Sequence, residues 1–303
     1  MNTSGSSRPA AKSLNARGKL LLVWAATVLV LLGMVTAAVV STGPVPRTDF
    51  LASPQSQWGR QPVALAHGTP PPAPRAPVDV DGEIKRILAE SPGYRVGVVL
   101  VDTHGGEPRS YGDGTEFVAA STAKIITAAA YYHLVETGEK SLDAPLGSYD
   151  AAFQLKSMVN ASSNDAWLLL MHDIGYPKLT EYAASIGISY DPEQNLLTPA
   201  EMAEVLRQLS TGKLLNAEHT EELLGYMQQT NNERLIPAAV GPDITVQHKY
   251  GELEGYVHDA ALLSSGGRTY ALAIYTWGED GESEERLAVI HSLTDVVARA
   301  LRE

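Results

Sequence analysis

Hydrophobic and polar positions divide the chain into four stretches of different character. Residues 1–19 are polar, small and basic, and the sequence predicts a tail that stays in the cytoplasm. Leu20 to Val40 is one apolar run without a charged residue, as long as the roughly 20 residues a membrane-spanning helix needs. The charges before it (Arg8, Lys12, Arg17 and Lys19) are all basic, which places that end inside. Ala37-Ala38 and Ser41-Thr42-Gly43 are small enough for a signal-peptide processing site. The run is longer than a signal core, however, so a retained anchor at 20–40 is the expectation. In residues 41–78 no apolar period recurs, and eight of the chain's 18 prolines lie between Thr42 and Ala76. That composition predicts a semi-rigid linker. The folded domain is expected at 79–303.

Within that domain the periodicity switches twice. Asp81-Gly82-Glu83 looks like a helix start, with Ile84, Ile87 and Leu88 at helical spacing and a stop at Ser91-Pro92-Gly93. Tyr94 to Val101 is rich in β-branched residues and reads as a strand, turned by Thr103-His104-Gly105-Gly106 into another near Arg109 to Tyr111. From Thr122 to Tyr226 the spacing is helical, broken at Gly138, Pro145, Gly175, Gly187 and Gly212. Strand-like runs return at Ile244 to His248, Ala260 to Leu263 and Thr269 to Thr276. A last amphipathic helix spans Glu284 to Leu301. The order predicts a mixed α/β (α+β) domain: an antiparallel sheet built from both ends, flanked by the terminal helices, plus an all-helical lobe. A ligand site is expected in the groove between sheet and lobe.

Composition narrows the chemistry. The chain has no cysteine, so disulfides, a thiolate nucleophile and a lipoprotein anchor are excluded. No His/Cys cluster has zinc spacing and no phosphate-binding glycine loop is present, so neither a metal nor a cofactor is expected. Residues 79–303 hold 16 Lys+Arg against 34 Asp+Glu, a net of 16 − 34 = −18. A domain so acidic is a poor partner for nucleic acid.

Three stretches carry candidate chemistry. In Phe117-Val118-Ala119-Ala120-Ser121-Thr122-Ala123-Lys124, a serine and a lysine three positions apart share a face at the start of an apolar helix. Lys124 can take the proton of Ser121 only if burial or a second cation lowers its pKa. In Asn160-Ala161-Ser162-Ser163-Asn164, the Ser162 hydroxyl can relay a proton, and the Asn164 amide can orient Lys124 or hold a substrate carbonyl. In Gln247-His248-Lys249-Tyr250-Gly251-Glu252, a lysine supplies a second cation and Gly251 lets a ligand approach the backbone. The edge N–H groups of that strand, with the Ser121 N–H, can supply oxyanion donors. Tyr250, Gly251, Glu252 and Asn164 are therefore candidates for substrate binding. Each stretch alone also has an ordinary reading as a cap, a turn or a solvated face.

In this order and spacing, Ser121-x-x-Lys124, Ser162-x-Asn164 and Lys249-x-Gly251 resemble the class A β-lactamases and the related penicillin-binding serine peptidases. Flanking text agrees: Gly138 with Ser141-Leu142-Asp143, Leu197-Thr198-Pro199 with Met202-Ala203 and Leu206, Asn232 to Pro237, and His258-Asp259. The resemblance implies an acyl-enzyme on Ser121, with Lys124 as base, Ser162 as proton relay, Asn164 as orienting group and Lys249 as electropositive partner. It implies β-lactams or peptidoglycan peptides as substrates. Two departures stand out. The loop before Thr198-Pro199 is short, and its one glutamate, Glu193, lies too close to Thr198 to match the family's water-activating residue. Tyr250 stands where the family has a small hydroxyl residue that helps bind a substrate carboxylate. His258-Asp259 is expected to be a structural pair near a turn, Trp167 and Tyr131-Tyr132 to be core, and Arg234 and Arg268 to be solvated or to bind a carboxylate.

Overall fold

The computed structural model describes residues 77–303; the expected tail, anchor and most of the linker lie outside them. Among the described residues no helix is long and apolar enough to cross a membrane. The first helix, α1 (Val80–Ala89), begins one residue before the expected start at Asp81. Its N-cap is Asp79, whose carboxylate accepts the Gly82 N–H, a bond that satisfies one of the orphan donors of a first turn.

Strands β1 (Arg95–Asp102) and β2 (Arg109–Gly112) come next, then a two-residue strand β3 (Phe117–Val118) and a 3₁₀ turn at Ala120–Ala123. The turn feeds α2 (Lys124–Glu136). A short hairpin, β4 (Pro145–Leu146) with β5 (Tyr149–Asp150), leads into α3 (Ala151–Val159), α4 (Asn164–Ile174) and α5 (Tyr176–Ser185). Strand β6 (Leu196–Leu197) pairs back onto β3. Helices α6 (Pro199–Ser210) and α7 (Ala217–Tyr226) and a 3₁₀ turn at Ile236–Ala239 complete the middle. The chain ends with β7 (Thr245–Leu253), β8 (Tyr256–Ser265), β9 (Arg268–Trp277) and α8 (Glu284–Leu301).

The five long strands form one antiparallel sheet in the order β2-β1-β9-β8-β7, built from both ends of the chain as its patterning predicts. Strand β1 is apolar from Val96 to Val101 because it is covered on both faces. Val98 and Leu100 pack with Ile84, Ile290, Leu293 and Val297 of the terminal helices. Val99 and Val101 face the helical lobe with Phe117, Leu197 and Met202. Two-sided burial removes the polar alternation of a half-exposed strand. At Gly97 a Cβ would lie 2.2 Å from the Asp113 carbonyl oxygen and 2.8 Å from Pro199, so the chain there has room only for glycine.

Helix α2 runs through the middle of the lobe and is buried from Lys124 to Tyr132. A helix apolar all round belongs in a core, and Tyr131, Tyr132 and Trp167 are core residues as expected. The Trp167 indole donates to Thr127 Oγ1 at 2.9 Å.

His258 and Asp259 lie near the turn between β7 and β8 as expected, but they are not a pair. They are the third and fourth residues of β8, where successive side chains point to opposite faces. His258 accepts the Thr276 N–H on Nδ1 (3.0 Å) and donates from Nε2 to the Val118 carbonyl (2.9 Å). Burial lowers its pKa to about 4, and this neutral tautomer braces the strand that leads to Ser121. On the other face Asp259 holds His248 Nδ1 at 2.9 Å and accepts the Ile236 N–H at 3.0 Å.

Candidate active site

Four chain segments converge where α2 begins. Residues on either side of Ser121 are fixed by hydrogen bonds to their backbone groups. Ala119 N–H donates to the Asn195 carbonyl (2.8 Å), and Asn195 Nδ2 donates to the Ala120 carbonyl (3.2 Å). Thr122 Oγ1 donates to the Ala119 carbonyl at 2.7 Å and lies 2.6 Å from the Tyr275 hydroxyl. Between these clamps Ala120 takes φ 49°. A non-glycine residue in that region costs on the order of 1–3 kcal/mol and persists only when its surroundings hold it. Ser121 itself is half-buried.

Lys124 is fully buried at the first position of α2. Its Nζ lies 2.7 Å from the Ser162 carbonyl, 2.8 Å from Asn164 Oδ1 and 3.2 Å from Ser162 Oγ, with the Trp167 ring 5.0 Å away. Burial, and then the charge of Lys249, push its pKa down to about 6. A neutral amine has two N–H donors and one lone pair. The Ser162 carbonyl and Asn164 Oδ1 can only accept, so they take the two donors. The lone pair is left for a hydroxyl proton.

Lys249 is equally buried. Its Nζ donates to Ser162 Oγ (3.0 Å) and to the Tyr250 carbonyl (2.9 Å). Burial lowers its pKa to about 7, with Asp259 and Glu252 pulling the other way. Ser162 Oγ therefore bridges the two lysines, accepting from one and able to donate to the other. That placement depends on the backbone: Ser162 takes φ 55°, while Ser163 caps α4 by accepting the Ala166 N–H at 3.2 Å. The turn is tied to the far wall by Asn160, whose Nδ2 donates to the Tyr226 and Gln228 carbonyls at 3.1 and 3.0 Å.

Strand β7 forms the other wall. A Cβ on Gly251 would lie 3.0 Å from Ala119 O, Ser121 N and Thr122 N, so glycine lets the strand press against the serine turn. β7 is an edge strand, and His248 N–H donates away from the sheet to the Met227 carbonyl at 2.8 Å. N–H groups two and four positions on point the same way, so the Glu252 N–H faces outward beside Ser121. The Ser121 N–H and this Glu252 N–H are the two candidate donors for an oxyanion.

Other candidates fall elsewhere. The Glu252 carboxylate turns away from the serine and accepts from Asn232 Nδ2 at 2.7 Å; burial, then Glu282, raise its pKa. The Tyr250 hydroxyl donates to Asn231 Oδ1 at 2.9 Å. Arg234 pairs with Glu282 at 2.7 Å, and Arg268 donates to the Leu301 carbonyl at 2.5 Å. Glu193 is exposed, and its N–H is bound by Asp191 Oδ1 at 2.8 Å. The second Asp191 oxygen accepts from Gln194 Nε2 at 2.8 Å, so both carboxylate oxygens brace the loop itself.

Three residues of the site's frame go unmentioned by motif reasoning: Asn195, Asn231 and Asp191. Asn195 is buried at φ 52° and accepts from the Tyr190 hydroxyl at 3.2 Å. The one local signal is an Asp-x-x-x-Asn loop just before a Thr-Pro helix start, which the chemistry of turns makes common.

The model of the "Beta-lactamase enzyme family" matches residues 79–301. Beta-lactamase CTX-M-8 of Citrobacter amalonaticus is 26% identical over 249 residues, covering 69% of this chain and 85% of that protein. The solved structure of PBP-A superposes with a TM-score of 0.67 at 21% identity, over 76% of this chain and 98% of that one. A β-lactamase from Streptosporangium roseum gives 0.65 at 23% identity, over 74% and 98%. These structural likenesses speak for the fold, which is that of the β-lactamases and their penicillin-binding relatives. The family model covers residues 79–301 of the described 77–303, and the chain belongs to the beta-lactamase enzyme family, as a serine hydrolase of that type.

Proposed function

We propose that this chain is a membrane-anchored, extracytoplasmic serine hydrolase that forms an acyl-enzyme on Ser121 with β-lactams or cell-wall peptides and releases it slowly. The observation that carries the reading is the single hydroxyl of Ser162 shared by two buried lysines, each with its pKa lowered by burial. A neutral Lys124 accepts the Ser121 proton as Ser121 Oγ bonds to the substrate carbonyl carbon. The carbonyl oxygen gains charge between the Ser121 and Glu252 N–H groups. As the carbon–nitrogen bond breaks, the proton passes from Lys124 through Ser162 Oγ to the leaving nitrogen. Lys249, still charged, holds Ser162 in place and stabilises the developing negative charge, while Asn164 fixes the Lys124 amine. A mutant of PBP-A is known as an acyl-enzyme complex with penicillin G, which supports β-lactams as acyl donors here.

Deacylation lacks an equivalent device. Hydrolysis needs a base that holds a water on the ester, and neither loop carboxylate is placed for it: Glu193 is exposed and Asp191 is spent on its own loop. A persistent acyl-enzyme suits a cell-wall peptidase or a sensor. Efficient turnover would make the chain a true class A β-lactamase, and no acylation at all would leave a binding module.

Location rests on the apolar run at 20–40 and its basic flank. The full-length protein is expected to stay with membranes through a high-salt wash, and external protease should release the domain through the linker. A soluble mature form starting near residue 40 would make the run a signal peptide instead.

Ser121→Ala should abolish labelling by a fluorescent penicillin while the circular dichroism spectrum is kept. Lys124→Ala should slow labelling by about 10² or more, the usual worth of a positioned general base. An adduct mapped by mass spectrometry to any other residue would defeat the assignment.

The acylation rate should follow a bell-shaped pH profile. Lys124 acts deprotonated, so the rate rises with pH through about 6. Lys249 acts protonated, so it falls again as pH passes about 7; the limbs report the coupled pair. A profile flat from pH 5 to 9 would contradict the two roles.

With a chromogenic β-lactam in excess, one equivalent per protein should be consumed in a burst, followed by a slow steady state. The missing base is worth about 10²–10⁴ in rate, and Glu193→Gln should alter neither phase. Turnover at many per second, lost in Glu193→Gln, would identify Glu193 as the base.

A further inference from the structure

Tyr250 follows Lys249 on the edge strand β7. The ring lies against the Lys249 ammonium, with Nζ 4.0 Å from its centroid. The hydroxyl donates to Asn231 Oδ1 at 2.9 Å, and Asn231 Nδ2 donates in turn to the Ala161 carbonyl at 2.9 Å. The Asn231 N–H also donates to the Asn160 carbonyl at 3.3 Å. Tyr250 and Asn231 therefore bridge from the sheet edge to the turn that carries Ser162.

This bridge changes what the second lysine offers a ligand. An ammonium has three N–H donors. For Lys249, one goes to Ser162 Oγ and one to the Tyr250 carbonyl, and the ring face covers the charge from another side. The phenol stays protonated, because burial raises its pKa further than the neighbouring Ser162 and Asn231 side chains lower it. Its one proton is already given to Asn231. Two positions on, Glu252 is a carboxylate held by Asn232, and Arg234, whose charge acts on Glu252, is paired with Glu282. An anion arriving beside Lys249 finds a single N–H uncommitted, the Tyr250 ring screening the charge, and a negative neighbour in Glu252. A neutral amide or ester meets no such cost, since burying an unpaired charge is far more expensive than burying a satisfied dipole.

We propose that Tyr250 is a specificity-determining residue that withholds Lys249 from a substrate carboxylate, so that the site favours acyl donors neutral on the leaving-group side. Such donors are an internal peptide bond, an amide or an ester, in preference to a free C-terminal carboxylate. The inference rests on the acyl-transfer reading of Ser121. Donors that carry a carboxylate are slowed by the ring and remain able to react.

A matched pair of donors tests it: benzylpenicillin as the free acid and as its methyl ester, each reacted with the full-length protein. Acylation of Ser121 is followed by intact mass, with each rate corrected for the donor's own reactivity toward hydroxide. In the wild type the ester should react at least as fast as the acid. Tyr250→Thr, which removes the ring, should raise the acid-to-ester ratio about tenfold or more. Tyr250→Phe keeps the ring and should keep the wild-type ratio. A wild type that prefers the free acid, or a threonine variant with an unchanged ratio, overturns the proposal while leaving the nucleophile intact. If the threonine variant does not fold, the wild-type preference decides alone. Failure of both donors to acylate Ser121 in every variant removes the acyl-transfer reading, and this proposal falls with it.

Discussion

Desolvation of two lysines around one hydroxyl is the constraint on which the site depends. Lys124 and Lys249 are both withdrawn from solvent, and both make contact with Ser162 Oγ. Burying even one ammonium costs several kcal/mol after relaxation, and two so close together cannot both keep their protons comfortably. The cheaper outcome is that one gives its proton up. Lys124 is the one that does, because its surroundings are two neutral acceptors, an indole face and the other lysine. Lys249 has Asp259 and Glu252 to support its charge. An asymmetry of surroundings thus converts two identical side chains into a base and an electrostatic anchor.

Much of the fold serves to hold that asymmetry in place. Helix α2 must be buried on all sides to desolvate Lys124, which requires a helical lobe wrapped around it. Lys249 must come from a strand, because only an extended edge can bring both a cation and an outward N–H beside the serine. The sheet that carries this strand is assembled from both chain ends, so the site forms only after the longest-range contacts have closed. Behind β7, His248 is buried against Asp259 and Glu233. Burial pulls its pKa down, and the two carboxylates more than offset this to raise it. That pair couples the 230–236 segment to the strand bearing Lys249, and through Asn231 to Tyr250 and the Ser162 turn.

The sequence was informative where chemistry is periodic or locally encoded. The apolar runs at Tyr94 to Val101 and Thr269 to Thr276, and the amphipathic spacing of Glu284 to Leu301, each became the expected element. Ser121 and Lys124 share a helix turn, so their proximity is written in their spacing. Ser162 and Lys249 could be joined to them only through resemblance, since contacts across a sheet and a lobe leave no local trace. The two-residue strands at Phe117 and Leu196 were invisible because pairs so short have no period. His258-Asp259 was misread because adjacency in sequence suggests a pair, whereas in a strand it places neighbours on opposite faces. The role of Tyr250 as a bridge also required coordinates: its size was legible, but its partner Asn231 lies on a separate loop.

Acyl transfer by this site depends on the protonation state of Lys124. Its side-chain nitrogen can be titrated directly by heteronuclear NMR in the wild-type protein and in Lys249→Met, with Lys124→Ala to assign the signal. The structure predicts a wild-type midpoint near pH 6, and an upward shift in Lys249→Met as the neighbouring charge is removed. A midpoint near the ordinary lysine value of about 10.4, unchanged in Lys249→Met, would contradict it.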